Sequence, residues 1–240
     1  MSPLNLGMPI GRVRAVLTGK VRPYTRPGSL SAIDKQPRSG SVAVNLLGLE
    51  GDEQADTRVH GGPDKAVHCY AWPHYDAWRD ELTSSKATQL LQAPGAFGEN
   101  LTLEPGLDEH QVCLADQWAV GSAVFEVSQG RQPCWKLNDR FETPDMARRV
   151  QQSGRAGWYL RVLTPGQIAA GDVIQLTARP HGDWPLARLL QLIADRNCEP
   201  QVMRSALALP LPASWHKLFQ GRLDSGQIES WQKRLEGPGP

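Results

Sequence analysis

Long apolar runs are missing. No stretch of the 240 residues approaches the ~20 consecutive apolar positions that cross a bilayer. The opening MSPLNLGMPIGRVRAVL has no apolar core behind a basic region, as a secretion signal would, so the chain is expected to be cytoplasmic. Cysteine is scarce: four residues stand alone at 69, 113, 134 and 198, with no CxxC pair and no Cys/His cluster of zinc type. This excludes a disulfide-stapled mini-protein and a sequence-local zinc site. A surplus of one charge is also absent, since 26 Lys+Arg face 25 Asp+Glu for a net +1, and no global field draws the protein to nucleic acid or an anionic membrane. Dinucleotide fingerprints, iron–sulfur cysteine patterns, internal repeats and low-complexity tracts are missing too.

What is present is an ordinary globular composition. Apolar residues make up 40% and glycine adds 23 positions, enough to bury a core in a chain of one or two domains. The one local charge imbalance lies at the start, where residues 1–50 carry seven basic positions (12, 14, 20, 22, 26, 35, 38) against Asp34 and Glu50. Residues 181–240, with seven basic and six acidic positions, are nearly neutral. That speaks against a helix-turn-helix-like DNA module there, because duplex binding needs a clustered basic face.

Between residue 12 and about 178 the chain reads as short strands separated by Gly/Pro turns. The expected strands are 12–17, 40–47, 112–114, 117–120, 123–128, 158–163 and 172–177, several alternating with period two. Such spacing predicts a barrel or sandwich. Tyr75, Trp78 and Leu82 fall on one face of an intervening helix, and Thr143-Pro144 is expected to start a second that runs through Val150 and stops near Gly154. Beyond His181 the pattern turns helical. Asp183 is expected to cap a helix carrying Leu186, Leu189, Leu190 and Ile193; Val202, Met203, Ala206 and Leu207 repeat the pattern, and Ser214 is expected to cap a third run with Trp215, Leu218 and Phe219. Ile228, Trp231 and Leu235 suggest one further turn or helix, and the tail Gly237-Pro-Gly-Pro is expected to be disordered. A domain boundary is therefore placed near His181, giving residues 1–180 and 181–240.

Three motifs can carry chemistry. In LEGDEQADTRVHGGPDKA (49–66) five acidic residues, His60, a Gly61-Gly62-Pro63 turn, Asp64 and Lys65 share eighteen positions, a composition suited to an anion or a polar heterocycle or, more blandly, to a solvated loop. In GAFGENL (95–101), Glu99 and Asn100 set a carboxylate beside an amide that can both donate and accept, or simply cap a loop. In SQGRQPCWKLN (128–138), Arg131 and Lys136 bracket Cys134. Cations near a thiol favour the thiolate, which attacks electrophiles or ligates soft metals, so Cys134 is set apart from the three cysteines read as inert core. Covalent catalysis, redox exchange and ligation of a cofactor-borne metal all stay open on these residues alone.

Together, LGLEGDEQAD, VHGGPDKAV, FGENL and QPCWKLN, followed by GWYLRVLTPG and GD-x-I-x-L, resemble the MOSC-domain family, of the type that carries a three-helix domain after the barrel. The resemblance implies a mainly β fold with some α: a MOSC β-barrel followed by a small C-terminal three-helix domain. It implies molybdenum cofactor of the molybdopterin type, rather than pyridoxal phosphate, and reduction of N-hydroxylated compounds such as 6-N-hydroxylaminopurine, a detoxification of base analogues. Cys134 matches the family's molybdenum ligand. Lys20, after the first strand, falls where the family places a basic residue near the pterin phosphate; His60, Gly61, Gly62, Asp64, Lys65, Glu99, Asn100, Arg131, Lys136 and Asn138 match the pocket loops, and His60 is the first choice for proton delivery because an ordinary imidazole titrates near neutral pH. Electrons would come from a separate reductase; no membrane or nucleic-acid partner is implied, and a homodimer is compatible. A non-catalytic carrier of the cofactor or of sulfur, using the same Cys134, is the competing function.

Overall fold

The computed structural model describes residues 6–55 and 61–237. Met1–Asn5, the segment 56–60 that includes His60, and Pro238–Pro240 lie outside the described residues. Seven strands form the barrel: β1 (Pro9–Thr18), β2 (Val67–Ala71), β3 (Leu101–Leu103), β4 (Gln117–Val120), β5 (Ala123–Gly130), β6 (Trp158–Thr164) and β7 (Val173–Ala178). Their spatial order is β7-β4-β5-β6-β2-β3-β1, and pairing of β1 back onto β7 closes the ring. Closure removes the free edges that an open sheet of this size would present. β1 is irregular along both edges, its register shifting between Pro9 and Gly11 against β7 and between Val13 and Ala15 against β3. Such irregularities bend a strand and increase its twist.

Most of the expected strands lie within a residue or two of the observed ones. Residues 112–114 do not form a strand: Cys113 makes an isolated bridge to Pro185, and Val112 and Leu114 are buried because the chain leading into the C-terminal helices lies across them. β2 has no alternation to read, being buried at every position. It runs parallel to β3, with Cys69 opposite Leu101, and strands buried on both faces lose the period-two signal.

Helices α1 (Pro73–Glu81), α2 (Ser85–Leu90), α3 (Lys136–Phe141) and α4 (Met146–Ser153) connect the strands. α4 starts after Asp145 rather than at Pro144, and ends at Gly154 in the left-handed conformation, as its sequence suggests. Beyond the barrel come α5 (Leu186–Ala194), α6 (Pro200–Leu207), α7 (Ala213–Ser225) and a short α8 (Gln232–Glu236). Neither expected cap makes a capping bond: α5 begins after Pro185 and α7 after Pro212, both without a side-chain cap. The C-terminus of α5 is instead finished from a distance. Arg222 of α7, 1% exposed, donates to the carbonyls of Leu192, Ile193 and Asn197 while paired with Glu229, placing a cation where the helix dipole favours one. Among the described residues no helix is long and apolar enough to cross a membrane.

Candidate active site

The site forms where β2, β5 and β6 meet. Antiparallel register sets Tyr159 of β6 opposite both His68 of β2 and Gln129 of β5, and the His68 and Tyr159 rings lie 5.0 Å apart. β5 ends at Gly130, and the chain then leaves the sheet through Arg131, whose N–H donates to Gly157 O at 2.9 Å. Three residues later Cys134 stands at the entry to α3, half-buried and unbridged. His68, Tyr159, Arg131 and Cys134 all line one cleft of about 630 Å³, open to solvent.

Its cations are arranged around these groups. Lys35 is 8% exposed and ion-paired with Asp52, whose side chain is 4% exposed. Burial pulls the Lys35 ammonium below its ordinary value, opposed by Asp52. Asp52 is held by Gly19 N at 2.7 Å and by Asn100 Nδ2 at 2.9 Å. Lys65 faces the cleft with its ammonium 5.9 Å from the centre of the Tyr159 ring, and burial lowers its pKa against the opposing pull of Asp64 and Cys134. Lys136 donates to Leu30 O at 2.7 Å. Arg131 is 6% exposed, yet its Nη1 has no hydrogen-bond partner. Buried polar atoms left unpaired in a cleft are costly and point to a ligand that completes them. Burial, then the Arg131 charge, pushes His68 well below the usual imidazole value, so its ring is neutral at pH 7. Burial raises the Tyr159 hydroxyl, so it keeps its proton.

Of the residues singled out in the sequence, Lys65, Asn100, Arg131, Cys134 and Lys136 line this cleft. Asn100 contributes structure more than a reading head: its Oδ1 accepts from His68 N at 3.0 Å and its amide also reaches Leu17 O at 3.2 Å. Glu99 and Asn138 do not line it. Glu99, 0% exposed, accepts from the Tyr75 hydroxyl, Gly95 N, Phe97 N and the Thr102 hydroxyl, which fixes the turn before β3. Asn138 accepts from Ala147 N at 2.7 Å, capping α4 from outside the helix, and donates to Leu235 O at 2.8 Å. Asp64 pairs with Arg161 at 2.9 Å, and Lys20 pairs with the cleft-lining Glu53 at 3.0 Å but is itself outside. Gly61 and Gly62 also stay out of the lining. Gly62 (φ +90) begins the short 3₁₀ turn Pro63–Lys65, so its backbone angle, not close approach to a ligand, explains the glycine. Nothing in the sequence marks His68 or Tyr159 for the cleft; the basic surplus of residues 1–50 hints at Lys35, and Asp52 stands only as one of the five acidic residues of 49–66.

Residues 56–175 match the family model of the MOSC domain, and residues 184–226 that of the YiiM-like 3-alpha helix domain. The chain belongs to this family. It is 39% identical over 223 residues to protein YiiM of Escherichia coli (strain K12), covering 92% of this chain and 97% of that protein. A protein of Gibberella moniliformis named "Reductase" is 37% identical over 217 residues, which span 90% of this chain and 38% of the fungal one. Crystal structures agree: YiiM from Escherichia coli superimposes with a TM-score of 0.78 at 31% identity, over 95% of this chain and all (100%) of that one. YiiM from Geobacillus stearothermophilus gives 0.74 at 33%, over 89% and 99%. The MOSC barrel and the YiiM-type helical region thus account for nearly the whole chain.

Proposed function

We propose that the chain is a molybdenum cofactor-dependent reductase of N-hydroxylated compounds, acting on 6-N-hydroxylaminopurine and related hydroxylamines. The observation that carries this reading is the shared cleft of Cys134 and Arg131: one accessible soft ligand beside a buried guanidinium with an unfilled donor. Among the described residues no three His, Cys, Asp or Glu side chains gather into a metal site, so Cys134 would hold only a metal whose other ligands come with it. Molybdopterin brings a dithiolene-held metal, hydrogen-bonding pterin edges and a phosphate, which suit a thiol, amides and cations. The residues present fit the group.

When bound, the cofactor supplies the two-electron redox step. The rest falls to the chain. Cys134 Sγ would be the protein ligand, and Arg131 Nη1 would donate to an acceptor on the cofactor. Lys65 and Lys136 balance anionic charge, while the Lys35–Asp52–Asn100 chain fixes the wall without itself needing a ligand. Converting N–OH to amine and water consumes two protons. His68 is neutral and Tyr159 holds its proton, so neither is a ready acid at pH 7; His60, five positions before Lys65, is the imidazole proposed to deliver them. Electrons would arrive from a separate reductase. Support from outside the chain is the name of the fungal relative and the family's association with this cofactor.

The test is purification from cells that make molybdenum cofactor, with molybdenum per protein and dye-driven turnover of hydroxylaminopurine measured beside Cys134→Ala. Near-stoichiometric metal and turnover, both lost in the variant, are expected. Metal without turnover would favour a carrier, and full activity in the loaded variant would remove Cys134 as the ligand.

A further inference from the structure

We propose that Arg234, in the short helix α8, is a positioning residue for Cys134. Its guanidinium Nη1 donates to Pro133 O at 2.6 Å, and its own main-chain carbonyl accepts from Trp135 N at 2.8 Å. One residue from the far end of the chain thus binds the backbone on both sides of the thiol. Residues 131–134 have no regular structure of their own, and a segment with few internal hydrogen bonds opens readily unless something outside it holds it. A ligand or nucleophile must be held closely to act, so what holds this turn matters to the site.

The holder is itself fixed. Arg234 Nη2 reaches Gln151 Oε1 on α4 at 2.5 Å, the neighbouring Leu235 is buried, and its carbonyl accepts from Asn138 Nδ2. Arg26 donates to Glu236 O at 2.8 Å, chelates Asp139 of α3 at 3.0 Å, and lies 4.1 Å over the Trp135 ring. Upstream, Trp231 Nε1 donates to the same Glu229 that pairs with Arg222. α8 is therefore anchored both to the helical region and to α3, and the turn bearing Cys134 is clasped between them. Neither family match extends to residue 234.

The inference takes from the proposed function only the importance of Cys134. Its test contains no molybdenum, so it can fail or succeed separately. The full chain is prepared without cofactor in a Cys198→Ser background, leaving Cys134 as the accessible thiol beside buried Cys69 and Cys113. Amide exchange over residues 131–138 and the rate of N-ethylmaleimide addition to Cys134 are compared for Arg234→Ala, Arg234→Lys and the parent. Arg234→Ala should speed both by about tenfold while exchange in α5–α7 stays put, and Arg234→Lys should recover part of the loss. Unchanged exchange over 131–138 overturns the proposal whatever happens to the thiol rate. Faster exchange spread equally through α5–α7 also overturns it, because Arg234 would then be a general structural residue.

Discussion

Lys35 shows how a charge can be built into the wall of a cleft at a cost to stability. Its ammonium is held almost out of water by Asp52 and displaced below the ordinary 10.5, chiefly by burial. In the folded protein it therefore gives up its proton at a lower pH than in the unfolded chain. Between those two values the unfolded state binds more protons at this residue, so the contribution of Lys35 to stability rises with pH through that window, up to 10.5. In urea unfolding at a series of alkaline pH values, the stability of the parent relative to Lys35→Met should therefore increase with pH. An equal slope in the variant would assign the effect to another group. The same residue marks the limit of sequence reading: nothing around Ser31–Gln36 announces a buried lysine, since its burial depends on Asp52, Asn100 and β1 being brought to it by the barrel. Glu99 and Asn100 show the converse. The pair is legible as polar equipment in an apolar setting, but whether each faces the cleft or the core is decided by the turn that leads into β3, and Glu99 turns to the core.

At the scale of elements, alternation and helical spacing locate β4, the first half of β5, β6, β7 and α1 closely because each has a more exposed and a buried face; the last four residues of β5 are buried throughout. β2 escaped because it has no wet face, and the caps of α5 and α7 were misassigned because proline-led turns and the distant Arg222 replace local side chains. The seat of α5 on the barrel gives a direct test of packing. A Cβ built on Gly130 would lie 2.8 Å from Leu190 Cδ2 and 2.9 Å from its Cγ, closer than side chains approach one another. Gly130→Ala should therefore cost about 1–3 kcal/mol in urea unfolding, the usual penalty for overfilling a packed contact. Leu190→Ala in the same chain should absorb part of that cost, so the double variant is less destabilised than the two singles added together. Strict additivity would mean that the methyl added at 130 does not meet Leu190.

For the molecule as a whole, a boundary near His181 was the natural reading of a change from strand to helix patterning, yet the packing crosses it. Leu186, Leu189 and Ile193 of α5 belong to the same continuous apolar cluster as Phe125 and Trp158 of the barrel. The main chain crosses it as well, with Leu186 N on Val112 O at 2.8 Å, Ala187 N on Glu109 O at 2.7 Å and Leu114 N on Trp184 O at 3.1 Å. At the far end, α8 returns to α3 through Asn138 and Arg234. Separating the helices would strip apolar side chains and main-chain hydrogen-bonding groups from both parts at once, and neither part would keep its stability alone. Heating the intact chain should accordingly give one calorimetric transition whose measured and van't Hoff enthalpies agree. Two resolved transitions would mean that the helical region melts by itself; the support it gives to the Cys134 turn would then be lost at the lower of the two temperatures, ahead of the barrel.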